Sequence, residues 1–224
     1  LTPPHSENPL ILALLDAEGV PFARIATRAP GPGFAITMHD EGSARKATRH
    51  LIDLGHSAIG FIAGPADYSL SARREAGWRG EMAAAGLDTG GLLEKGDFSF
   101  ESGLAAADAL LGKARGRPSA IIASNDQMAL ATLEVARRRG LDVPGSLSLI
   151  SFDNTPVVRF TRPPLTAIDQ PIAETVSRAV ALLVEGTASA DAMAGGAPVV
   201  VEGTLVVRES TAPPVRSPAL VRNG

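Results

Sequence analysis

Apolar and polar positions recur along this chain with two different periods, and glycine often marks the place where one gives way to the other. Residues 8–18 repeat apolar side chains at helical spacing and stop at Gly19, and residues 21–26 then have the short apolar run of a strand. Residues 42–54 put Ala44, Ala47, Leu51 and Leu54 on one helical face and end at Gly55. Residues 58–63 are continuously apolar, as strands buried on both faces of a parallel sheet are. A helix over 71–85, closed by Gly86, leads to a weak strand at 93–97 and a helix at 101–111. Residues 119–124 and 147–152 read as strands flanking a helix at 127–139. Strand–helix–strand units with short connections predict an α/β fold on doubly wound parallel sheet.

The rhythm changes after Phe152. Arg162-Pro163-Pro164-Leu165-Thr166 must be extended, because proline disfavours helix at the residue before it. A helix follows over 171–185, with Pro171 in the first turn, where a missing N–H costs little. Residues 187–197 are small and predict a mobile loop, 198–207 return to strand character, and 210–224 predict a flexible tail.

Composition narrows the field. The chain has no cysteine, so disulfides, thiolate metal sites and thiol nucleophiles are excluded, which fits a cytoplasmic location. No apolar run is long enough to cross a bilayer, and residues 11–15 lack the basic leader of a signal peptide. The 21 basic residues are outnumbered by 24 acidic ones and are spread along the chain, so this polypeptide is not expected to hold DNA by itself. The one dense basic group, Arg137, Arg138 and Arg139, precedes Gly140 at a helix end, where cations complement the helix dipole.

The chemistry concentrates at strand ends. The strand at 58–63 leads to Ser71, Arg73 and Arg74; the one near Leu93 leads to Asp97 and Phe98. The strand at 119–124 leads to Asn125 and Asp126, and that at 147–152 to Asp153 and Asn154. In an open parallel sheet these carboxyl ends face one crevice, where ligands bind. Guanidinium, carboxylate and carboxamide groups each engage two adjacent hydroxyls, and an aromatic plane takes the apolar face of a pyranose, so the set suits a sugar. A purine fits the same groups by stacking on Phe98 and pairing with Arg74 and Asp153. Each position also has a plainer use: Asp126 can cap the helix that follows, and Asp or Asn at strand ends often only shapes a turn.

Enzymatic motifs are missing. There is no Gly-x-Ser-x-Gly elbow, P-loop or His-Glu-x-x-His, and no metal or cofactor is expected. His50 and His56 flank a helix end and read as structural, leaving Asp126 with Asp153 as the one carboxylate pair with acid–base potential. A non-enzyme is expected.

At these residues the sequence resembles the LacI/GalR family of transcriptional repressors. The stretch His50-Leu51-Ile52-Asp53-Leu54-Gly55-His56, followed by Ile59-Gly60-Phe61-Ile62-Ala63-Gly64, is similar to the start of the family's distal subdomain. Ser71-Ala72-Arg73-Arg74-Glu75-Ala76-Gly77-Trp78 resembles its ligand-contacting turn and helix. Ala123-Ser124-Asn125-Asp126-Gln127-Met128 and Ser151-Phe152-Asp153-Asn154 with Pro163-Pro164-Leu165-Thr166 are the most specific matches, and Arg208-Glu209-Ser210-Thr211 matches the closing strand.

The resemblance implies a periplasmic-binding-protein-like type I fold, with two doubly wound parallel-sheet lobes joined by three crossovers and effector in the cleft. It assigns 1–37 and 168–190 to an incomplete N-terminal lobe and 38–167 with 198–209 to the C-terminal lobe. Arg74, Asn125 and Asp153 stand at effector-contact positions, Phe98 at a stacking position, and Gln170 at the third crossover. Ser71 and Asp40 join them, although His39-Asp40 replaces the family's common Asp-Asn. Ile172 lies where the lactose repressor places an aromatic. Family members begin with a helix-turn-helix and further strands, whereas this chain opens at Leu1-Thr2-Pro3-Pro4, equivalent to the end of one of those strands. Operator DNA is therefore expected to be engaged through a helix-turn-helix outside this chain, and the N-terminal lobe to be distorted, swapped or covered by a partner. A homodimer is implied, and the helix at 127–139, with Met128, Leu130, Leu133 and Val135, serves either a dimer face or the core. A periplasmic sugar-binding protein of a transporter would share this fold.

Overall fold

The computed structural model describes residues 1–27, 29, 31–186 and 197–215. The chain begins in a small lobe. Asn8 accepts hydrogen bonds from the Leu10 and Ile11 amides and so starts α1 (Pro9–Ala17), whose N1 position is proline. The strands β1 (Ala23–Ile25) and β2 (Phe34–Met38) follow and pair in parallel. Leu1 bridges to β1 as well: its ammonium donates to the Ala23 carbonyl, and its carbonyl accepts from the Ile25 amide.

The chain then crosses into a larger lobe, built as α2 (Asp40–Asp53), β3 (Ile59–Ala63), α3 (Ser69–Ala84), β4 (Leu93–Lys95), α4 (Phe100–Leu111), β5 (Ala120–Ala123), α5 (Asp126–Arg138), β6 (Ser148–Asp153) and β7 (Thr166–Asp169). It returns to the small lobe through α6 (Ile172–Gly186) and β8 (Val199–Val201), and crosses a third time to β9 (Thr204–Val206). Two sheets result among the described residues, β1-β2-β8 and β4-β3-β5-β6-β7-β9.

The continuous apolar strands are explained by helices on both faces of the large sheet. Ile59 and Phe61 join Ala47, Leu51, Trp78 and Met82 from α2 and α3, while Ile62 and Ile121 join Leu110, Met128 and Val135 from α4 and α5. Trp78 is wholly buried, stacks on Phe61 at 5.4 Å and donates its indole N–H to the Ile59 carbonyl. The helices α2 and α3 touch so closely that a Cβ at Gly77 would lie 2.2 Å from the Glu41 carbonyl oxygen. By contrast, the small lobe's core is slight, with Ala23, Ile36, Ala179 and Val201 at its centre.

Several expectations need correction. Apart from β9, which runs antiparallel to β7, the large sheet is parallel. The expected boundaries at 38 and 168 are displaced, because Met38 completes β2 of the small sheet and Ile168 and Asp169 belong to β7 of the large one. Residues 198–209 are not one C-terminal-lobe element. They break at Glu202-Gly203, where a Cβ on Gly203 would fall 2.7 Å from Ser43 Oγ, and β8 and β9 belong to different sheets.

The expected tail is anchored at its start. Ser210 Oγ accepts from the Thr166 amide and donates to the Leu149 carbonyl, and the Ala212 amide donates to Ser148 Oγ. These bonds satisfy strand edges that would otherwise be open. The loop expected at 187–197 and the end of the tail lie largely outside the described residues. The small sheet is regular rather than distorted, but Leu10 and Leu14 of α1 and Val176 and Val180 of α6 are exposed.

Candidate functional site

The carboxyl ends of β3, β5 and β6 deliver the sequence-selected side chains to one region. Arg74, one turn into α3, is 3% exposed and is its centre. Its Nε donates to Asp40 Oδ1 at 2.9 Å, its Nη1 donates to the Ser124 carbonyl at 2.5 Å, and its guanidinium lies 4.5 Å over the Phe152 ring. Asp40 sits in the first turn of α2, where the helix dipole favours a carboxylate, and it also meets Arg73 at 3.4 Å.

Asp153 ends β6 with φ +91°, 3.9 Å from Arg74 Nη1, and accepts a hydrogen bond from Gln170 Nε2. Burial pushes its carboxyl above the ordinary value; Arg74 opposes this, the Asp126 charge adds to it, and the Gln170 bond works against it. A half-buried carboxyl beside a cation, with its strand end turned into the left-handed region, is perturbed in both charge and backbone, as ligand sites often are.

The aromatic part is built differently. Phe98 has φ +71°, and its ring crosses Gly64 so closely that a Cβ there would lie 2.3 Å from the ring edge and 2.7 Å from Ser71 Oγ. Tyr68 meets Phe98 edge-on at 5.8 Å. Ser71 Oγ is buried without a hydrogen-bond partner, a polar atom in want of a ligand or water. Asn125 caps α5 by accepting from the Met128 amide and donates its own amide to the Phe98 carbonyl at 2.8 Å. Its side chain therefore fixes the aromatic loop, a role its residue type alone does not reveal.

Asp126 is not the helix cap. It is tied to Ser151 Oγ and accepts from the Thr155 amide and hydroxyl at 2.7 and 2.6 Å, so it shapes the turn after β6 and is no free acid–base group. Asp97 accepts from the Ser99 amide and hydroxyl ahead of α4, which holds its carboxyl down to about 2. Of the seven selected residues, Arg74, Asp40, Asp153 and Gln170 form one polar chain. Phe98, Ser71 and Asn125 form the adjoining aromatic corner.

Other participants escaped the sequence reading. Tyr68 and Glu7 carried no motif, although Tyr68 is the only tyrosine and stands three residues before Ser71, and Phe152 lay inside a family match without being singled out. Glu7 Oε1 accepts from Thr27 Oγ1 of the small lobe and from Ser69 Oγ of the large lobe, both at 2.7 Å. Two cavities lie near the site. One, of about 250 Å³, has Gln170 in its wall; the other, of about 320 Å³, lies between Glu7 and Tyr68; Ala26 borders both.

Comparison with known proteins identifies the family and the fold. Residues 48–211 match the periplasmic binding protein-like domain family. The chain is 36% identical over 217 residues to an HTH-type transcriptional regulator from Streptomyces limosus, covering 92% of this chain and 58% of that protein. It is 34% identical over 212 residues to the HTH-type transcriptional regulator CelR of Thermobifida fusca, covering 92% and 61%. It thus spans about three-fifths of the length of these relatives. Among solved structures, a CelR–cellobiose complex superposes with a TM-score of 0.83 at 32% identity, covering 94% of this chain and 64% of the other. A LacI-family regulatory protein from Chloroflexus aggregans superposes at 0.84 with 29% identity, covering 95% and 75%.

Proposed function

Because the chain belongs to the periplasmic binding protein-like family of LacI-type transcriptional regulators, we propose that it is the effector-sensing part of a repressor and that the effector is a sugar held between its lobes. The observation that carries this reading is the meeting of Arg74, Asp40, Asp153 and Gln170 beside the Phe98–Tyr68 corner. Arg74, Asp153 and Gln170 bind neighbouring hydroxyls, and Asp40 holds the guanidinium in place. Ser71 Oγ supplies a further bond, Phe98 takes the apolar face of the ring, and Asn125 keeps Phe98 in position. The cellobiose in a structural neighbour supports a sugar over other polar ligands.

Sensing requires that the sugar bind one inter-lobe angle better than another. A difference of about 1–3 kcal/mol between the two states is the usual size of such coupling. The bound angle is read by a DNA-binding part of the kind that the HTH-type relatives are named for, through a homodimer. In α5, Met128 and Val135 are core, whereas Leu130 and Leu133 line an outer groove of about 600 Å³ with Phe100 and Pro163. The exposed Phe160 lies just before that wall in sequence, and a second copy of this chain is its proposed occupant.

Titration with a panel of hexoses, pentoses and disaccharides tests the sensor reading. Trp78 lies one helical turn from Arg74, so its emission and the melting temperature both report on the site. At least one sugar is expected to shift both signals. Silence to every sugar overturns the reading, and a response to purines alone reassigns the effector.

A further inference from the structure

The large lobe has another polar cavity at the pole opposite the cleft. It lies at the amino ends of β3, β5 and β6, holds about 310 Å³, and has His56, Arg117, Ser119, Ser146 and Pro214 in its wall. Pro214 closes it against the turn before β3, where a Cβ on Gly55 would meet the proline ring at 3.8 Å. No acidic residue is among the described residues that line it, and it shares none of them with the two cavities at the cleft.

Its donors are largely uncommitted. Arg117 is exposed and has no hydrogen bond or ion pair among the described residues, and the same holds for Arg115 two residues earlier. The Ser146 hydroxyl is equally free, and Asp142, in the same loop before β6, directs its carboxylate to the Gly145 amide at 3.2 Å. A guanidinium without a partner, beside hydroxyls and with no carboxylate in the wall, suits a small oxyanion. The planar fork engages two of its oxygens and each hydroxyl a further one.

His56 makes this set depend on a proton. Its Nε2 faces the Ala212 carbonyl at 2.9 Å, which can only accept, so Nε2 carries the hydrogen of the neutral ring. Nδ1 must then accept from Ser119 Oγ at 2.8 Å, which turns that hydroxyl hydrogen toward the ring. Once Nδ1 is protonated it donates to the same oxygen, and the hydroxyl is released. Its other acceptor, the Ala58 carbonyl, lies at 3.5 Å, the outer limit for such a bond. The charges around His56 are His50 on α2 with Asp53 beyond it, Arg117 before β5 and Asp142 before β6, while residues 212–215 bring none. Burial keeps the ring neutral above 6.5; Arg117 opposes a second cation beside it, and an anion in the cavity offsets that opposition.

We propose that this cavity binds a small tetrahedral oxyanion, a sulfate or a phosphate, with Arg117 as its counter-ion, Ser146 and Ser119 as hydroxyl donors, and a proton taken up by His56 as it binds. The site is independent of the sugar cleft. It joins the C-terminal segment to the loops before three strands, so its occupancy stabilises the folded large lobe.

Calorimetric titration of the chain with sulfate, at constant ionic strength balanced by chloride, tests the site, because sulfate keeps its charge from mildly acid to neutral pH. Sulfate is expected to bind, to raise the melting temperature, and to bind more tightly as pH falls through the titration of His56. Arg117→Gln alters an exposed side chain without partners, so the fold does not depend on it. It is expected to weaken sulfate at least ten-fold while leaving the melting temperature in chloride unchanged. Arg74→Lys, in the cleft, is expected to bind sulfate as the parent does. Glycerol phosphate titrated against inorganic phosphate separates two sources of the anion: tighter binding of the ester assigns an organic phosphate, equal or weaker binding the free ion. No sulfate binding, or binding kept in Arg117→Gln and lost in Arg74→Lys, overturns the site. Sulfate affinity that does not change with pH overturns the coupling to His56.

Discussion

Arg74 and Asp40 form a buried ion pair, Nε to Oδ1 at 2.9 Å with each side chain 3% exposed, that joins the first turn of α2 to α3. The pair holds the guanidinium at the cleft before any ligand arrives. Removing one partner of such a pair strands the other charge in low dielectric, at a cost of about 3–5 kcal/mol. Asp40→Ala is therefore expected to lower unfolding free energy by an amount of that order in urea titration. Arg74→Lys, which keeps the charge but loses the planar fork, is expected to cost less stability and to weaken sugar binding at least ten-fold.

Gly64 offers a probe that changes no polar group. A methyl there would lie 2.3 Å from the Phe98 ring, so Gly64→Ala must displace the ring from its present pose. Sugar affinity is expected to fall several-fold, matching the loss in Phe98→Ala, since aromatic contacts are worth about 0.5–1.5 kcal/mol. Titration of both variants checks this; unchanged affinity in Gly64→Ala would remove Phe98 from the binding role.

Asp153 makes the apo chain's stability depend on pH. Its folded-state carboxyl is raised above the unfolded value near 3.8, with burial the main cause, so between the two values the folded chain binds more protons. The associated stabilisation is full below the unfolded value and is lost as pH rises through the folded one. Asp153→Asn is expected to flatten this part of the profile and to stabilise the apo chain at neutral pH. Sugar affinity in the parent chain is expected to weaken as pH falls through the raised value, because the carboxylate is the acceptor. Melting curves and titrations across acid pH measure both.

His56 acts in the opposite sense at the other end of the large sheet. It meets Ser119 Oγ at 2.8 Å, Ser148 Oγ at 3.0 Å and the Ala212 carbonyl at 2.9 Å. Burial lowers its folded value below 6.5; the Ala212 bond resists this and the His50 charge adds to it. The unfolded chain therefore takes up protons first, and stability is expected to decline as pH falls from about 6.5 through the folded value. His56→Gln should abolish that component in melting experiments, at some cost to stability at neutral pH.

The proposed dimer predicts that Leu133→Asp shifts the chain toward monomer in sedimentation while leaving sugar affinity unchanged, since Leu133 lines the α5 groove and none of the binding contacts. A monomeric parent chain would contradict the dimer directly.

The helices α2, α4 and α5 were legible because each repeats its apolar residues at one spacing and ends close to a glycine, whereas α3 buries Ser71, Arg74 and Gly77 beside Trp78 and Met82 and is marked chiefly by Gly86 at its end. The strands β3, β5 and β6 were legible because burial on both faces leaves no polar alternation to confuse with another element. The split between β8 and β9 was not, since Val199 to Val206 is apolar on both sides of Glu202-Gly203 and nothing in a local pattern reveals a change of sheet. Arg74, Asp153 and Phe98 could be selected because strand ends converge in such folds. Asn125's hold on the Phe98 loop, the stacking of Phe152 under Arg74 and Tyr68's contact with Phe98 depend on loop paths that residue type does not encode.

Glu7 lies outside both sheets, yet one of its carboxylate oxygens receives hydroxyls from opposite sides of the cleft. Parting the lobes at this edge exchanges at least one of those bonds for one to water, so Glu7 biases the hinge toward the present inter-lobe angle by the modest net worth of a hydrogen bond to a charged group.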